Sequence, residues 1–473
     1  MKAEDIRPSH LRPYDPQYDP LVAANPGHGT GYAPTYWVGT AGRPPEDDGP
    51  VCGDMEADVV IVGSGFTGLS TALFLAREHG IRAVVLDANQ TAWGCTSRNG
   101  GQGQNASGRL YRSQWIERWG KDVALKLDAE IREGFDTFKK LVEEFPECEP
   151  QRGGHLYIAH RDRKMDFLRN ETRVMRDVFG YDARMLSVDE VRRDYVDDAD
   201  CRGAMHEPDG IGVHPLKLAF GYLRKARELG VKVHTASPVI GMETRNGVHY
   251  LKTPGGTIKA RAVGFATGGY TSNGLHRQLN SKIMPILSNS LVTRPLTEEE
   301  LAATNFKTTQ VITDTRTLRF YYRKLPDNRV QIGSRSAITG ADAPNPIHMA
   351  KLVEGLHHKF PALKGIQVDY SWWGWVDVSH DMMPRITQPD PKENIFYAVG
   401  YGGNGVSFSA HAGRRMAQRI AGQNIKAFEL PIYNSPLEYP NVFNMVRSEA
   451  FAPFRRMGQR FLYHWYHMND EKN

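Results

Sequence analysis

The sequence predicts a mixed α/β (α+β) fold, in which a parallel-sheet domain is assembled from separated segments and an antiparallel-sheet domain is inserted between them. Three observations indicate this arrangement. Residues 58–88 have the pattern strand, glycine turn, helix, strand; residues 283–335 alternate apolar and polar residues between turn signals; residues 395–422 again have the pattern strand, glycine turn, helix. Two independent parallel domains explain the order less well, because no acid-terminated strand follows the second glycine turn.

The first segment has the features of a dinucleotide-binding turn. Residues 58–62 form a short, mostly β-branched run, which is typical of a strand covered on both faces. Gly63, Gly65 and Gly68 follow in the G-x-G-x-x-G pattern, in which the glycines allow a tight turn, backbone contact with a pyrophosphate, and helix–strand packing. Asp87 ends the next strand, where a carboxylate can bind an adenosine ribose. This acid favours FAD or NAD over NADP, and the motif alone does not separate those two.

Further elements follow in order. Residues 89–110 are rich in glycine and small polar residues, which brings backbone donors close to a ligand, although a plain surface loop has the same composition. A strand is predicted within 151–160 and a helix at 164–179. Ser187 and Glu190 form a capping-box signature, and another helix is predicted at 215–229.

Length and composition limit the class of protein. A chain of 473 residues, with 40% hydrophobic and 24% charged residues, suits two or three globular domains. No run of eighteen apolar residues is present, so we expect no transmembrane segment, and the N-terminus lacks the apolar centre of a secretory signal. The four cysteines have no metal-type spacing, so we expect a reduced, cytoplasmic compartment and no metal.

Charge gives no indication of a nucleic-acid partner. The formal charge of +5 comes from 59 basic and 54 acidic residues that are mixed along the chain. Residues 1–55 are predicted to be an extended arm over the body, with Tyr32, Tyr36 and Trp37 as anchors. The expected division is an arm at 1–55, the parallel-sheet domain at 56–150, 205–275 and 372–425, the inserted domain at 151–204 and 276–371, and a C-terminal extension at 426–473.

Five sequence blocks together resemble the flavin amine oxidases of the D-amino-acid oxidase and glycine oxidase superfamily, in the branch that contains gamma-glutamylputrescine oxidase. The blocks are DVVIVGSGFTGLSTALFL, GCTSRNGGQ (94–102), ATGGYT (266–271), WWGWVDVSHDMMPRI (372–386) and NIFYAVGYGGNGVSFSAHAG (394–413). The resemblance covers about residues 56–425. It implies a discontinuous Rossmann-like FAD-binding domain, an antiparallel-sheet substrate domain over the flavin, and oxidation of a C–N bond.

The resemblance implies a set of cofactor contacts. In this sequence the matching positions are Gly63, Gly65, Phe66, Thr67, Gly68, Asp87, Ser97, Arg98, Asn99, Gly101, Gln102, Val239, Thr267, Gly268, Gly402, Gly403, Asn404, Gly405 and Val406. A helix that begins near Gly405 also directs its positive end towards the glycine turn, which would stabilise a reduced flavin.

Some positions depart from the family. Asp87 stands where the family more often has glutamate, and Ser407 stands where sarcosine-type relatives have a lysine for a substrate carboxylate. Loss of that lysine favours an amine or modified amine over a simple amino acid. Relatives with covalent flavin have histidine or cysteine in these blocks, whereas here residues 96–99 read TSRN and residues 372–373 are tryptophans. We therefore predict non-covalent FAD.

The implied reaction moves a hydride from the carbon that bears nitrogen to flavin N5, and the imine then hydrolyses. No side-chain base is required, because the cofactor supplies the chemistry. Tyr321, Arg323, Trp373 and His380 are the candidates for the substrate cavity, with Arg323 on the same side of its strand as Tyr321 and able to bind a carboxylate. Sheet core is the alternative for each aromatic residue, and a structural role is the alternative for the histidine.

Three functions remain open from the sequence. An oxidase would pass electrons to O₂ and release H₂O₂, whereas an amino-acid or imino-acid dehydrogenase would use a quinone or another carrier. A nicotinamide enzyme or a non-catalytic dinucleotide-binding module leaves the turn at 402–405 without a role. Aromatic and basic residues at 451–467 have helical spacing, for which packing on the body is expected over membrane-surface docking.

Overall fold

The computed structural model describes residues 19–21, 23, 25, 27–280, 282–437 and 452–471, in two eight-stranded sheets, one three-stranded sheet and the helices around them. The strands are β1 (Met55–Val62), β2 (Val84–Leu86), β3 (Gln102–Gln104), β4 (Gln151–Arg152), β5 (His155–Ile158), β6 (Arg184–Leu186), β7 (Ala204–Glu207), β8 (Gly210–Gly212), β9 (Lys232–His234), β10 (Gly241–Arg245), β11 (Val248–Thr253), β12 (Gly256–Phe265), β13 (Met284–Thr293), β14 (Val311–Asp314), β15 (Tyr321–Lys324), β16 (Val330–Ser334), β17 (Val368–Val378), β18 (Arg385–Thr387) and β19 (Ile395–Val399). The helices are α1 (Tyr36–Thr40), α2 (Phe66–His79), α3 (Arg112–Trp119), α4 (Lys121–Glu144), α5 (Arg163–Asp177), α6 (Val188–Asp194), α7 (Pro215–Glu228), α8 (Glu298–Thr304), α9 (Pro346–Lys359), α10 (Gly405–Ile420), α11 (Pro431–Asn434) and α12 (Ala452–Asp470).

The first sheet joins strands from distant parts of the chain. Its order is β10-β11-β12-β1-β2-β9, and β19 pairs with β12 and with β18. The contacts of β1 with β2 and β12, of β2 with β9, and of β12 with β19 are parallel. Residues Val60 and Ile61 of the central strand are fully buried, as the continuous apolar run predicts for a strand covered on both faces. The prediction of a discontinuous domain is confirmed.

The second sheet belongs to the inserted region. Its order is β17-β13-β16-β15-β14-β5-β7-β6, and every contact is antiparallel except that of β14 with β5. Two predicted domain boundaries are wrong. The boundary at 204 separates β7 from its sheet, and the boundary at 371 divides β17, whose full length pairs with β13. The cause is that β17 is apolar and aromatic throughout its centre, so its pattern does not mark which sheet it joins.

Both ends of the described chain pack on the body. In the N-terminal arm, Trp37 Nε1 donates to the carbonyl of Asn99 at 2.8 Å, and Tyr32 donates to the carbonyl of Thr91 at 2.5 Å, so the predicted anchoring is confirmed. Helix α12 is attached near its start by an ion pair of Arg456 with Asp19. Residues 1–18, 438–451 and 472–473 of these extensions lie outside the described residues. Among the described helices, none combines the length and apolar character needed to cross a bilayer.

Candidate active site

A cavity lies between the two large sheets, and both glycine turns contribute to its wall. Most of the sequence-predicted cofactor residues line it: Gly63, Gly65, Phe66, Thr67, Asp87, Arg98, Asn99, Gln102, Val239, Thr267, Gly268, Gly403, Asn404, Gly405 and Val406. The fold therefore brings together segments that are separated by most of the chain length.

Four predicted cofactor residues lie behind the cavity wall. Gly68 packs against the first turn, where an added Cβ would overlap the carbonyl oxygen of Gly63. Ser97 donates through Oγ to the carbonyl of Trp93 at 2.9 Å, and the amide of Gly402 donates to the carbonyl of Asp377 at 2.8 Å. Gly101 has a φ of +62°, in the left-handed region that favours glycine. These residues shape the wall without lining it.

The first turn presents backbone donors and one fixed acid. Helix α2 begins at Phe66 with Gly65 as its N-cap, which offers no side chain to the first amides, although the amide of Phe66 donates to Thr96 Oγ1 at 3.1 Å. The Asp87 carboxylate accepts from the amide and hydroxyl of Ser64 at 2.7 and 2.6 Å and from the amide of Asn89 at 3.0 Å. Burial raises the pKa of Asp87, against these hydrogen bonds, which lower it. The arrangement fits a pyrophosphate beside the helix and a ribose beside the acid.

The second turn presents another helix N-terminus to the same cavity. Helix α10 begins at Gly405, and the side chain of its N-cap, Asn404, donates to the carbonyl of Gly108 at 2.5 Å instead of capping the helix. Gly402 and Gly403 both have positive φ, which lets the chain fold tightly beneath the cavity. The positive end of the helix therefore faces the cavity with its amides available to an electron-rich group.

Tyr321 lines the cavity from the second sheet. Its hydroxyl is hydrogen-bonded to Ser290 Oγ at 2.8 Å and to Ser288 Oγ at 3.1 Å. Burial raises the pKa of this phenol. Two hydroxyl partners hold the ring in one orientation, so Tyr321 presents a fixed face to the cavity.

Arg323 does not line the cavity, and the expectation that it faces the substrate is corrected. Its side chain is 1% exposed, and Nη2 donates to the carbonyl of Val213 at 2.7 Å. Arg323 shares the side of Tyr321, as predicted, but it lies farther along β15, under Gly101 and Gly212. An added Cβ at either glycine would overlap the guanidinium group, so the missing side chains make the space that it fills.

Trp373 and His380 also lie away from the cavity wall. On β17 the cavity residues are Gly374, Val376 and Asp377, whereas Trp373 does not line the cavity and packs edge-on against His348 with ring centroids 5.6 Å apart. His380 follows the strand in the turn that leads to β18 and does not line the cavity. The sequence shows that residues alternate between two faces, but it does not show which face meets the cavity.

Three arginines that the sequence analysis did not select line the cavity: Arg109, Arg319 and Arg335. The hairpin around Tyr321 is the signal that could have indicated two of them. Strands β15 and β16 form a hairpin in which Tyr321 pairs with Gly333. The same register, continued beyond the strand ends, sets Arg319 opposite Arg335. Other cavity residues that the sequence analysis did not select include His28, Trp93, Cys95, Thr96, Tyr270, Ser288, Thr313, Asp377 and Tyr401.

Comparison with known proteins agrees with this geometry. The chain matches the family model DAO, described as FAD dependent oxidoreductase, over residues 58–419. It is 31% identical over 384 residues to gamma-glutamylputrescine oxidoreductase of Escherichia coli K12, covering 80% of this chain and 88% of that protein. It is 28% identical over 398 residues to the beta subunit of sarcosine oxidase from an Arthrobacter species, covering 79% and 89%. Its fold is similar to that of glycine oxidase from Geobacillus kaustophilus, with a TM-score of 0.67 at 19% identity, over 80% of this chain and 98% of that one.

Proposed function

The chain belongs to the DAO family of FAD-dependent oxidoreductases, which act on C–N bonds of amines and amino acids, and from this premise we propose that it oxidises an amine or modified amino acid in the cavity between its two sheets. The observation that carries the proposal is that two helix N-termini and the Asp87 carboxylate converge on one cavity. At neither helix does the side chain of the N-cap residue bond to the first amides. A nicotinamide enzyme or a non-catalytic module would use the first turn and leave the second without a ligand.

Different residues of the cavity bind different parts of the cofactor in this proposal. The amides at the start of α2 bind the pyrophosphate, Asp87 binds the ribose hydroxyls, and the amides at the start of α10 stabilise negative charge on the ring system. When bound, FAD supplies the acceptor for the hydride that leaves the carbon next to nitrogen. Tyr321 and the neighbouring wall orient the amine and exclude water, which favours the neutral amine over the ammonium form.

FAD is held without a covalent bond in this proposal. Cys95 lines the cavity, and burial, followed by the nearby Asp377 carboxylate, raises the pKa of its thiol to about 12. The thiol therefore stays protonated at neutral pH, and a protonated thiol is a poor nucleophile. Acid precipitation of the yellow protein is expected to leave flavin in the supernatant. Flavin that remains with the protein pellet would contradict the proposal.

The 31% identity to gamma-glutamylputrescine oxidoreductase makes gamma-glutamylputrescine the first substrate to test. Mixing the purified holoenzyme anaerobically with this compound and with a panel of primary amines, secondary amines and amino acids is expected to bleach the flavin with at least one of them. A colourless protein that does not bind FAD, or a yellow protein that no amine reduces, would refute the proposed function.

We propose O₂ as the electron acceptor, with H₂O₂ as product. An electron carrier such as a quinone is the second candidate, and the outer face of α12 favours it. Along that face Phe454, Met457, Phe461, Trp465 and Met468 are 47–72% exposed, as suits contact with an apolar partner. Reoxidation rates with O₂ and with a quinone analogue separate the two. Negligible peroxide together with fast quinone reduction would establish the carrier.

A further inference from the structure

Besides Arg98, three further arginines line the cavity, and these three have no acidic partners among the described residues. Among the described residues, none of Arg109, Arg319 and Arg335 has a carboxylate oxygen within 4.0 Å. Arg109 Nη1 donates to the carbonyl of Gly402 at 3.3 Å, and Arg319 Nη2 lies 3.5 Å from the hydroxyl of Tyr111. The Nε atom of Arg319 is buried and has no hydrogen-bond partner.

Two buried arginines elsewhere in this protein have carboxylate partners. Arg316 contacts Asp314 at 2.6 Å, and Arg415 contacts Glu130 at 2.7 Å. Arg109, Arg319 and Arg335 are half-buried in the cavity wall, and Arg319 also lies 5.6 Å from the ring centre of Tyr157. Withdrawing a charge from water without a contacting counter-ion is costly, so three guanidinium groups with no carboxylate in contact at one wall indicate that anionic groups complete the site. Burial, and then repulsion from Arg335 and Arg319, lowers the pKa of Arg109, as expected for cations crowded without counter-ions.

The three groups converge on the substrate side of the cavity. The ends of Arg335 and Arg109 lie 3.5 and 3.7 Å from the point where a Cβ of Gly403 would be. The register of Tyr321 with Gly333, continued beyond the ends of the two strands, sets Arg319 opposite Arg335. The pyrophosphate of FAD is assigned to α2, at the other glycine turn, so its charge does not account for these arginines. One positive charge beside the turn at Gly403 can balance an electron-rich ring system, which leaves two for the substrate.

We propose that the substrate is an amine that carries two carboxylate groups, bound by Arg319 and Arg335 with Arg109 beside them. This inference rests on the proposed function and names the substrate class. Arginine binds carboxylates in two-pronged, charge-assisted geometry. The same positive field lowers the pKa of the substrate ammonium group, which supplies the neutral amine that reacts. A glutamylated diamine, which carries an extra cationic group, would be repelled.

Anaerobic flavin reduction with matched substrates tests the inference. Iminodiacetate and longer iminodicarboxylates are compared with sarcosine, which is iminodiacetate without one carboxylate, and with gamma-glutamylputrescine. The best dicarboxylate is expected to exceed its monocarboxylate match by about tenfold or more in kcat/KM, the scale of one charged contact. Sarcosine or gamma-glutamylputrescine performing as well as every dicarboxylate would overturn the inference while leaving amine oxidation intact.

A binding measurement separates this inference from the proposed function. Glutarate, which has two carboxylates and no amine, is expected to raise the Tm of the holoenzyme in chloride-free buffer, and butyrate at equal ionic strength is expected to have a smaller effect. This readout needs no turnover, so it remains decisive if no amine reduces the flavin. Equal shifts with both acids, or no shift with either, would count against a two-carboxylate site.

Variants at the arginines supply the third test. Arg335→Met and Arg319→Met are expected to keep or raise the Tm without anions, because each removes a half-buried charge that no carboxylate contacts, and to abolish most of the glutarate-dependent rise. Arg323→Met is the matched control, since it removes a buried guanidinium group outside the cavity. The control is expected to lower the Tm, because Arg323 is fully buried and donates to Gln151 and to the Val213 carbonyl, and to keep the glutarate effect. Variants of Arg319 and Arg335 that behave like the control would overturn the inference.

Discussion

Gly65 is the position at which the cofactor contact can be separated from folding. A Cβ at Gly65 would point into the cavity wall and approach Thr96 Oγ1 at 3.1 Å, a side-chain atom that can shift. Gly65→Ala is therefore expected to fold and to weaken FAD binding by about tenfold or more, because the backbone no longer approaches the pyrophosphate. Titration of the apoprotein with FAD, followed by flavin fluorescence, measures the change.

Gly68 provides the contrasting variant. There an added Cβ would overlap the backbone carbonyl of Gly63, which cannot move without opening the turn. Gly68→Ala is expected to reduce the yield of folded protein as well as FAD content. An FAD affinity for Gly65→Ala equal to that of the wild type would show that the pyrophosphate does not lie at this turn.

Tyr321 and Tyr322 allow a test of which face of β15 meets the substrate. Tyr321→Phe removes the hydroxyl that is hydrogen-bonded to Ser290 and Ser288, and it is expected to slow anaerobic flavin reduction by about three- to tenfold through looser positioning. Tyr322→Phe is the control, because its hydroxyl donates to Asp198 on the other face. The control should lose about 1 kcal/mol or more of stability with no change in reduction rate. A reversed pattern would place the substrate elsewhere.

The predicted cofactor residues that the structure brings to the cavity include those whose position follows from the backbone. Gly63, Gly65 and Gly405 line the cavity because their spacing fixes a turn before a helix, which is a local property. Arg319 and Arg335 were not selected, because their importance depends on a hairpin register and on the absence of nearby acids. Arg323 was assigned to the cavity only because side chains alternate along a strand. In the structure its guanidinium group instead fills the space beneath Gly101 and Gly212.

At the scale of the element, His214 makes the stability of the protein at the start of α7 depend on pH. It is the N-cap of that helix, its Nδ1 accepts from the amide of Lys217 at 3.2 Å, and burial, followed by the Lys217 and Arg323 charges, lowers its pKa to about 3. The folded protein therefore keeps the ring neutral, while the unfolded chain takes up a proton below about pH 6.5. The stabilisation is complete above pH 6.5 and is lost as pH falls towards 3, by about 2 kcal/mol at pH 5.

His214→Asn tests this pH dependence, because asparagine caps helices without titrating. The variant is expected to have a lower Tm at pH 8 and a smaller fall of Tm between pH 6.5 and 4.5 than the wild type. His464→Asn, at an exposed position on α12, is the control and should leave the profile unchanged. If the Tm of the wild type and of His214→Asn falls equally with pH, another group causes the loss of stability at acidic pH.

Near its start, helix α12 is held over the second sheet by a buried ion pair. Arg456 donates to Asp19 and to the carbonyl of Pro285 at 2.8 Å, and both charged side chains are largely buried. Asp19→Asn leaves the guanidinium group without its counter-ion, which costs about 3–5 kcal/mol in comparable buried pairs. The variant is expected to expose α12 to trypsin at Arg460 several-fold faster than wild type, as measured by mass spectrometry.

The control for α12 is Glu56→Gln, which breaks an exposed ion pair with Lys259. Exposed pairs contribute about 0–1 kcal/mol, so this variant should be digested at the wild-type rate. Equal digestion of Asp19→Asn and wild type would mean that contacts along the helix, such as the acceptance of the Thr317 and Leu318 amides by Asp470, hold it without the ion pair.

At the scale of the whole molecule, the sequence predicted the fold class of each domain better than the boundaries between the domains. The strands at the start of the chain and near residue 395, which are β1 and β19, were assigned to one parallel sheet because each is an apolar run followed by a glycine turn, and both pair with β12. Strand β17 was divided because its aromatic residues suit either sheet, and only its register with β13 decides. The cavity exists where the two sheets meet, so its substrate side follows from packing that no local pattern describes.

Because the cavity wall combines both sheets, FAD binding is expected to stabilise the domains together. Residues from the first sheet, such as Val62, and from the second sheet, such as Tyr321, line the same cavity. A ligand at one hundred times its Kd adds about 2.7 kcal/mol to the stability of the folded state. Three of the eight tryptophans lie on β17, so part of the tryptophan signal reports on the second sheet, and release of FAD reports on the first. On heating the holoenzyme, both signals are expected to change at one Tm, and removal of FAD should lower the tryptophan transition. If the tryptophan transition stays at the same temperature in the apoprotein, the second sheet gains nothing from the cofactor, and the cavity is not shared in the way that the fold implies.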